Sequence, residues 1–126
     1  MADLDVVGGR LSPAMLELVE AVLKPCSPSV REGLMRHAES ALIVEISPTW
    51  LDVRPAKDLP KVECPSGRVP VEVDFILVAP DWNSDVFAWV ENGYFTGLEQ
   101  PWTSDEPPSR WPKPHELVYH NIGDDN

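Results

Sequence analysis

Val86-Phe87-Ala88-Trp89-Val90-Glu91-Asn92-Gly93-Tyr94-Phe95-Thr96-Gly97-Leu98-Glu99 is the stretch on which the fold turns. Two strand-like runs flank Asn92-Gly93. A type I′ turn needs positive φ at both central residues, and Asn-Gly meets that need at little steric cost. The pattern therefore predicts a β-hairpin with these two residues at its tip. In ideal register Glu91 pairs with Tyr94, Trp89 with Thr96 and Phe87 with Leu98 on one face. Val90 with Phe95, Ala88 with Gly97 and Val86 with Glu99 share the other. Both faces are largely apolar, which predicts a central hairpin or one covered on both sides. The pattern leaves open which face is the core.

Upstream, residues 69–78 alternate strictly, with Val69, Val71, Val73, Phe75 and Leu77 on one side and Pro70, Glu72 and Asp74 on the other. Period two over ten residues predicts one half-buried strand. Residues 41–46 and 50–54 predict a second hairpin, with Pro48 and Thr49 in its turn. The proline-broken connection 55–68 is expected to be irregular, with a short edge strand at 61–63. Further upstream the period changes. Ser12-Pro13 is a helix start, an N-cap followed by proline at the first helical position. Met15, Leu18, Val19 and Val22 then form one helical face before Pro25 stops it. A second, weaker helix opens at Pro28 or Ser29, with Val30, Leu34, Ala38 and Met35 on its apolar face.

Downstream, residues 101–114 hold five prolines with Trp102 and Trp111 among them. Such a segment sustains neither helix nor sheet. Helices followed by strands predict an α+β fold: two N-terminal helices packed on one face of an antiparallel sheet of about five strands, with the proline-rich C-terminal segment closing over an edge or the second face. The whole chain, 1–126, reads as a single domain, with 1–11 a lead-in, 12–38 helical, 41–100 sheet and 101–126 the tail.

The 126 residues carry 21 Asp and Glu against ten Lys and Arg, a net charge of −11. This disfavours nucleic acid, whose backbone is gripped by basic patches, and anionic membranes. No apolar run approaches a membrane span and the acidic start is no secretory signal, so a cytoplasmic chain with Cys26 and Cys64 as reduced thiols is expected. The acids are uneven: residues 80–126 hold nine against two bases, residues 1–79 twelve against eight.

Catalytic, cofactor and metal signatures are missing from the spacing. His37, His115 and His120 form no ligand motif, and no phosphate-binding glycine loop or nucleophile elbow occurs. The expectation is no cofactor and no metal. Glu72 and Asp74 on the polar side of the long strand are a candidate acid–base pair, with a solvated face as the plainer reading. Glu45 and Glu99 interrupt apolar strands and would need partners such as Arg54 or Arg68 if buried. The strongest functional lead is Trp82, Trp102 and Trp111 beside Asp81, Asp85, Asp105 and Glu106. Indoles anchor interfaces and acids steer a basic partner, but the same rings would also serve to clamp the tail onto the sheet.

The hairpin, together with Ser104-Asp105-Glu106-Pro107-Pro108 and Trp111-Pro112-Lys113-Pro114, resembles the C-terminal signature of a family of short uncharacterised actinobacterial proteins. The resemblance covers residues 69–117 firmly and is looser before them. Members often carry a Gly-Cys cluster ahead of a proline in the hairpin after the second helix, whereas here Cys64-Pro65 falls later. The resemblance implies no activity and no catalytic residue.

These features point to a non-enzymatic protein-interaction domain with an acidic, Trp-bearing surface. Its partner would be a protein with a basic surface, as for an immunity-type inhibitor of a basic toxin, or a second copy in a homodimer. The alternative is a small enzyme or ligand-binding domain with a carboxylate-lined pocket between sheet and helices.

Overall fold

A computed structural model describes residues 5–56, 58–69, 75–77, 85–102 and 105–121. The order is α1 (Pro13–Leu23), α2 (Pro28–Ser40), β1 (Leu42–Ile46), β2 (Trp50–Arg54), β3 (Gly67–Val69), β4 (Phe75–Leu77), β5 (Phe87–Glu91), β6 (Tyr94–Glu99), a 3-10 turn (Pro114–Glu116) and β7 (Tyr119–Asn121). The first sheet is antiparallel, in the order β1-β2-β6-β5-β3, and β4 pairs with β7 in a second, two-stranded sheet. The fold is α+β, with the helices preceding the strands. Among the described residues no helix is long and apolar enough to cross a membrane.

The Ser12 hydroxyl accepts the Met15 N–H at 3.1 Å and so caps α1. The Asp5 carboxylate in turn holds Ser12, accepting its N–H at 2.7 Å and its hydroxyl at 2.9 Å. The face of α1 buries Met15, Leu18, Val19, Val22 and Leu23. Each fully buried aliphatic side chain contributes about 1.5–3 kcal/mol relative to exposure. Helix α1 packs on β5 and α2 on β6. Between them and the sheet lie Ile43, Leu51, Val53, Val69, Val86, Ala88, Val90, Phe95 and Leu98, all buried.

Two bulges decide what enters that core. At the hairpin tip Asn92 (φ 53) and Gly93 (φ 84) form the expected turn. Glu91 pairs with Tyr94 and Val90 with Phe95, but Trp89 then pairs with Gly97, Ala88 with Leu98 and Phe87 with Glu99. Thr96 is therefore one residue too many, and the ideal register predicted above fails beyond Phe95. A one-residue slip reverses the sidedness of a strand. Leu98 turns into the core, and Glu99 turns away from it. Strand β1 does the same: Ile43 pairs with Val53 but Glu45 with Asp52 and Ile46 with Leu51, leaving Val44 as the extra residue. Glu45 faces outward, and Ile46 packs against the core.

The expected ten-residue strand is instead two short strands in different sheets. Strand β3 starts earlier, at Gly67, and pairs with β5, whereas β4 pairs with β7; residues 70–74 and 78 lie outside the described ones. Residues 61–63 form no strand. The Val62 N–H donates to the Gly93 carbonyl at 2.8 Å, and the Val62 side chain packs against the core. The lead-in is also more structured than expected. Gly8 N–H donates to the Ile43 carbonyl and Ile43 N–H to the Gly9 carbonyl, each at 2.8 Å, so the lead-in covers part of the β1 edge.

His37 is a core residue absent from the expected face of α2. It is 1 % exposed. Its Nδ1 accepts the Phe95 N–H at 3.2 Å, which leaves Nε2 to donate to the Pro60 carbonyl at 2.8 Å. One neutral ring thereby joins helix, central strand and connection.

Two substitutions test this construction. Gly97 has φ 156, and a Cβ there would meet the Leu51 carbonyl oxygen. Gly97→Ala should cost about 3 kcal/mol or more in chemical denaturation, through strain at the bulge. His37→Leu should cost about 2–3 kcal/mol, because it strands the Phe95 N–H without an acceptor. A melting temperature unchanged by either would contradict the assigned register or the assigned histidine contacts.

Candidate functional site

Both helices cover one face of the five-stranded sheet. On the other face a cross-strand row runs Glu45, Asp52, Gly97, Trp89, Arg68, from β1 to β3. The neighbouring row on this face is Trp50, Glu99, Phe87. Trp50, Asp52, Gly97 and Trp89 of these rows line a groove of about 1170 Å³, which Arg54, Lys61 and Tyr94 line toward the hairpin tip.

The side chains of this face are tied together. Trp89 Nε1 donates to Glu99 Oε1 at 2.9 Å, which fixes both the indole and the carboxylate. The Phe87 and Trp89 rings meet edge to face, with centroids 5.8 Å apart and planes at 68°. The Arg68 guanidinium lies 5.0 Å from the Phe87 centroid, a cation–π contact. Trp50 is 36 % exposed at the groove. Arg54 and Arg68, named above as partners for buried glutamates, pair with neither: Glu45 is exposed and Glu99 is satisfied by Trp89.

The loop and tail candidates separate. Trp111 is half-buried against the core, and its Nε1 donates to the Ser47 carbonyl at 2.8 Å. It clamps the tail onto the β1–β2 turn and is no free anchor. Gln100, fully buried, reinforces that clamp by donating to the Pro48 and Arg110 carbonyls at 2.9 and 3.2 Å. Trp102 is 42 % exposed, and Asp85, Asp105 and Glu106 are exposed. Trp82 and Asp81 lie outside the described residues, as do Glu72 and Asp74. The space between helices and sheet is filled by apolar side chains, Phe95 among them, and by His37, and neither Glu45 nor Glu99 points into it.

Cys26 and Cys64 are half-buried thiols packed against the core. Among the described residues no three His, Cys, Asp or Glu side chains gather into a metal-ligand set.

Sequence reasoning located Trp50 and Trp89 on strands but assigned them no role. The signal was present in the alternation Trp50-Leu51-Asp52-Val53-Arg54, whose non-core side carries an indole and two charges. Compared with known protein families, with curated proteins and with solved structures, the chain gives no match.

The tail carries a strongly shifted ionisable group, Glu116. The Arg110 guanidinium donates to both Glu116 oxygens, at 2.8 and 2.9 Å, and the Lys113 N–H adds a third bond at 2.8 Å. The guanidinium first, then the backbone N–H, lower the Glu116 pKa from 4.5 to about 2 against a smaller opposing desolvation. A depressed carboxyl stabilises the fold above its unfolded value, and this contribution is lost as pH falls from about 4.5 to about 2. A carboxyl-carbon NMR titration should find the Glu116 midpoint well below the ordinary carboxylate range. Arg110→Gln should move it back toward the ordinary carboxylate range; an unmoved midpoint would contradict the assignment.

Proposed function

We propose that the chain is a non-enzymatic protein-interaction domain that docks a partner of basic surface through the uncovered face of its sheet. The observation that carries this reading is the presence of Trp50 and Trp89 on a grooved sheet face that, among the described residues, no helix covers. Indoles combine large apolar area with few rotatable bonds, which is why they recur as binding anchors. Trp89 is already held in place by Glu99, so little entropy is lost in ordering it on contact.

The charge selects the partner. A chain of net −11 attracts a basic protein at long range and repels a second copy of itself. The exposed Asp85, Asp105 and Glu106 of the C-terminal half add to that field. An immunity-type inhibitor, which would cover the phosphate-binding surface of a basic nuclease toxin, is the concrete form of this reading.

Affinity capture from native lysate should recover a partner at low salt that is released at high salt. The Trp50→Ala/Trp89→Ala double variant, checked for a cooperative melt, should lose it. Equal capture by wild type and variant would overturn the proposal.

A further inference from the structure

The uncovered face is electrostatically uneven along its strands. Toward the hairpin tip it carries Arg54 and Lys61. Toward the other end it carries Glu45, Asp52 and Glu99, and the register sets Glu45 directly opposite Asp52. Like charges in that position repel. Among the described residues no cationic side chain lies within ion-pair distance of any of these three carboxylates.

The shape of the same place is set by Gly97. It stands between Asp52 on β2 and Trp89 on β5 and carries no side chain. Asp52 and Trp89 are thus separated by two strand spacings, roughly 9–10 Å, with Gly97 between them and the Thr96 side chain beside it, its hydroxyl donating to the Trp89 carbonyl at 3.4 Å. The result is a notch with a carboxylate on one side and an indole on the other. Trp50 and the Glu99 carboxylate close its far end. One guanidinium already stacks on this face: Arg68 over Phe87, at 5.0 Å.

We infer that the notch over Gly97 receives an arginine side chain of the partner protein, its guanidinium stacked on Trp89 and paired with Asp52. The inference rests on the proposed function and names the contact at its centre. Arginine fits better than lysine because its flat, weakly hydrated head stacks on an indole while donating to carboxylates on either side. The carboxylate pair Glu45 and Asp52 supplies the charge complementarity, and the glycine supplies the room.

The test uses the full chain and three peptides of one sequence bearing arginine, lysine or citrulline at a single central position. The arginine peptide should shift the indole N–H resonances of Trp50 and Trp89 and bind tightest. Citrulline, which keeps the shape and loses the charge, should bind at least tenfold more weakly, the loss of about one charge-assisted contact. Asp52→Asn, isosteric and on the surface, should weaken the arginine peptide by a similar factor. Glu17→Gln and Glu39→Gln, exposed on the helices and equal in their change of net charge, should not. Equal weakening by all three variants would mean general attraction to an acidic chain and would overturn the notch. Loss of the natural partner with Trp50→Ala/Trp89→Ala but not with Asp52→Asn would also overturn the notch, while leaving the docking face intact. If the tryptophan variant keeps that partner, both fail together.

Discussion

The extra residue in β6 governs much of this molecule. Were Thr96 paired in regular register instead of bulged, Glu99 would fall beside Val86 and Val90 in the core and Leu98 would lie on the open face with Trp89. A buried, unpartnered carboxylate costs several kcal/mol, and an exposed leucine forfeits its burial. The bulge reverses both at once. It requires Gly97, because the backbone of β2 passes where any other residue would place its Cβ. The same glycine then leaves the open face with a gap in its middle row. Core composition and surface shape therefore follow from one local irregularity. Strand β1 repeats the device, with Val44 as the extra residue, Glu45 turned out and Ile46 turned in.

Around this sheet, single polar contacts do work that helices and strands leave undone. His37 links α2, Phe95 and Pro60; Tyr94 donates to the Leu59 carbonyl at 3.1 Å; Val62 bonds to Gly93. The connection between β2 and β3 thereby lies against the hairpin tip without becoming a strand. Trp111 and Gln100 perform the equivalent task for the tail at the β1–β2 turn. Prolines forbid these segments from joining the sheet, so side-chain donors to lone carbonyls hold them instead.

This distribution of labour explains the relocation of the candidate surface. A tryptophan in a proline-rich loop reads equally well as anchor or clamp, and Trp111 is a clamp because its N–H finds a carbonyl 64 residues away. A tryptophan on an alternating strand reads as ordinary packing. Trp50 and Trp89 are surface residues because the helices cover only the opposite side. That outcome depends on which of two apolar faces α1 and α2 choose, and no local pattern encodes the choice.

By itself the sequence determined the elements that depend on neighbours in the chain: the Ser12 cap and apolar stripe of α1, the Asn92-Gly93 turn, the Pro48-Thr49 turn and the α+β order of helices before strands. Backbone sterics and short-range periodicity suffice for these. Tertiary structure alone decided the register beyond Phe95, the division of the 69–78 run between two sheets, the burial of His37 and the identity of the open face. Each of these weighs one long-range packing arrangement against another. The winner is set by where a misplaced charge or a missing hydrogen bond would be buried, a quantity that exists only once the distant segments have met.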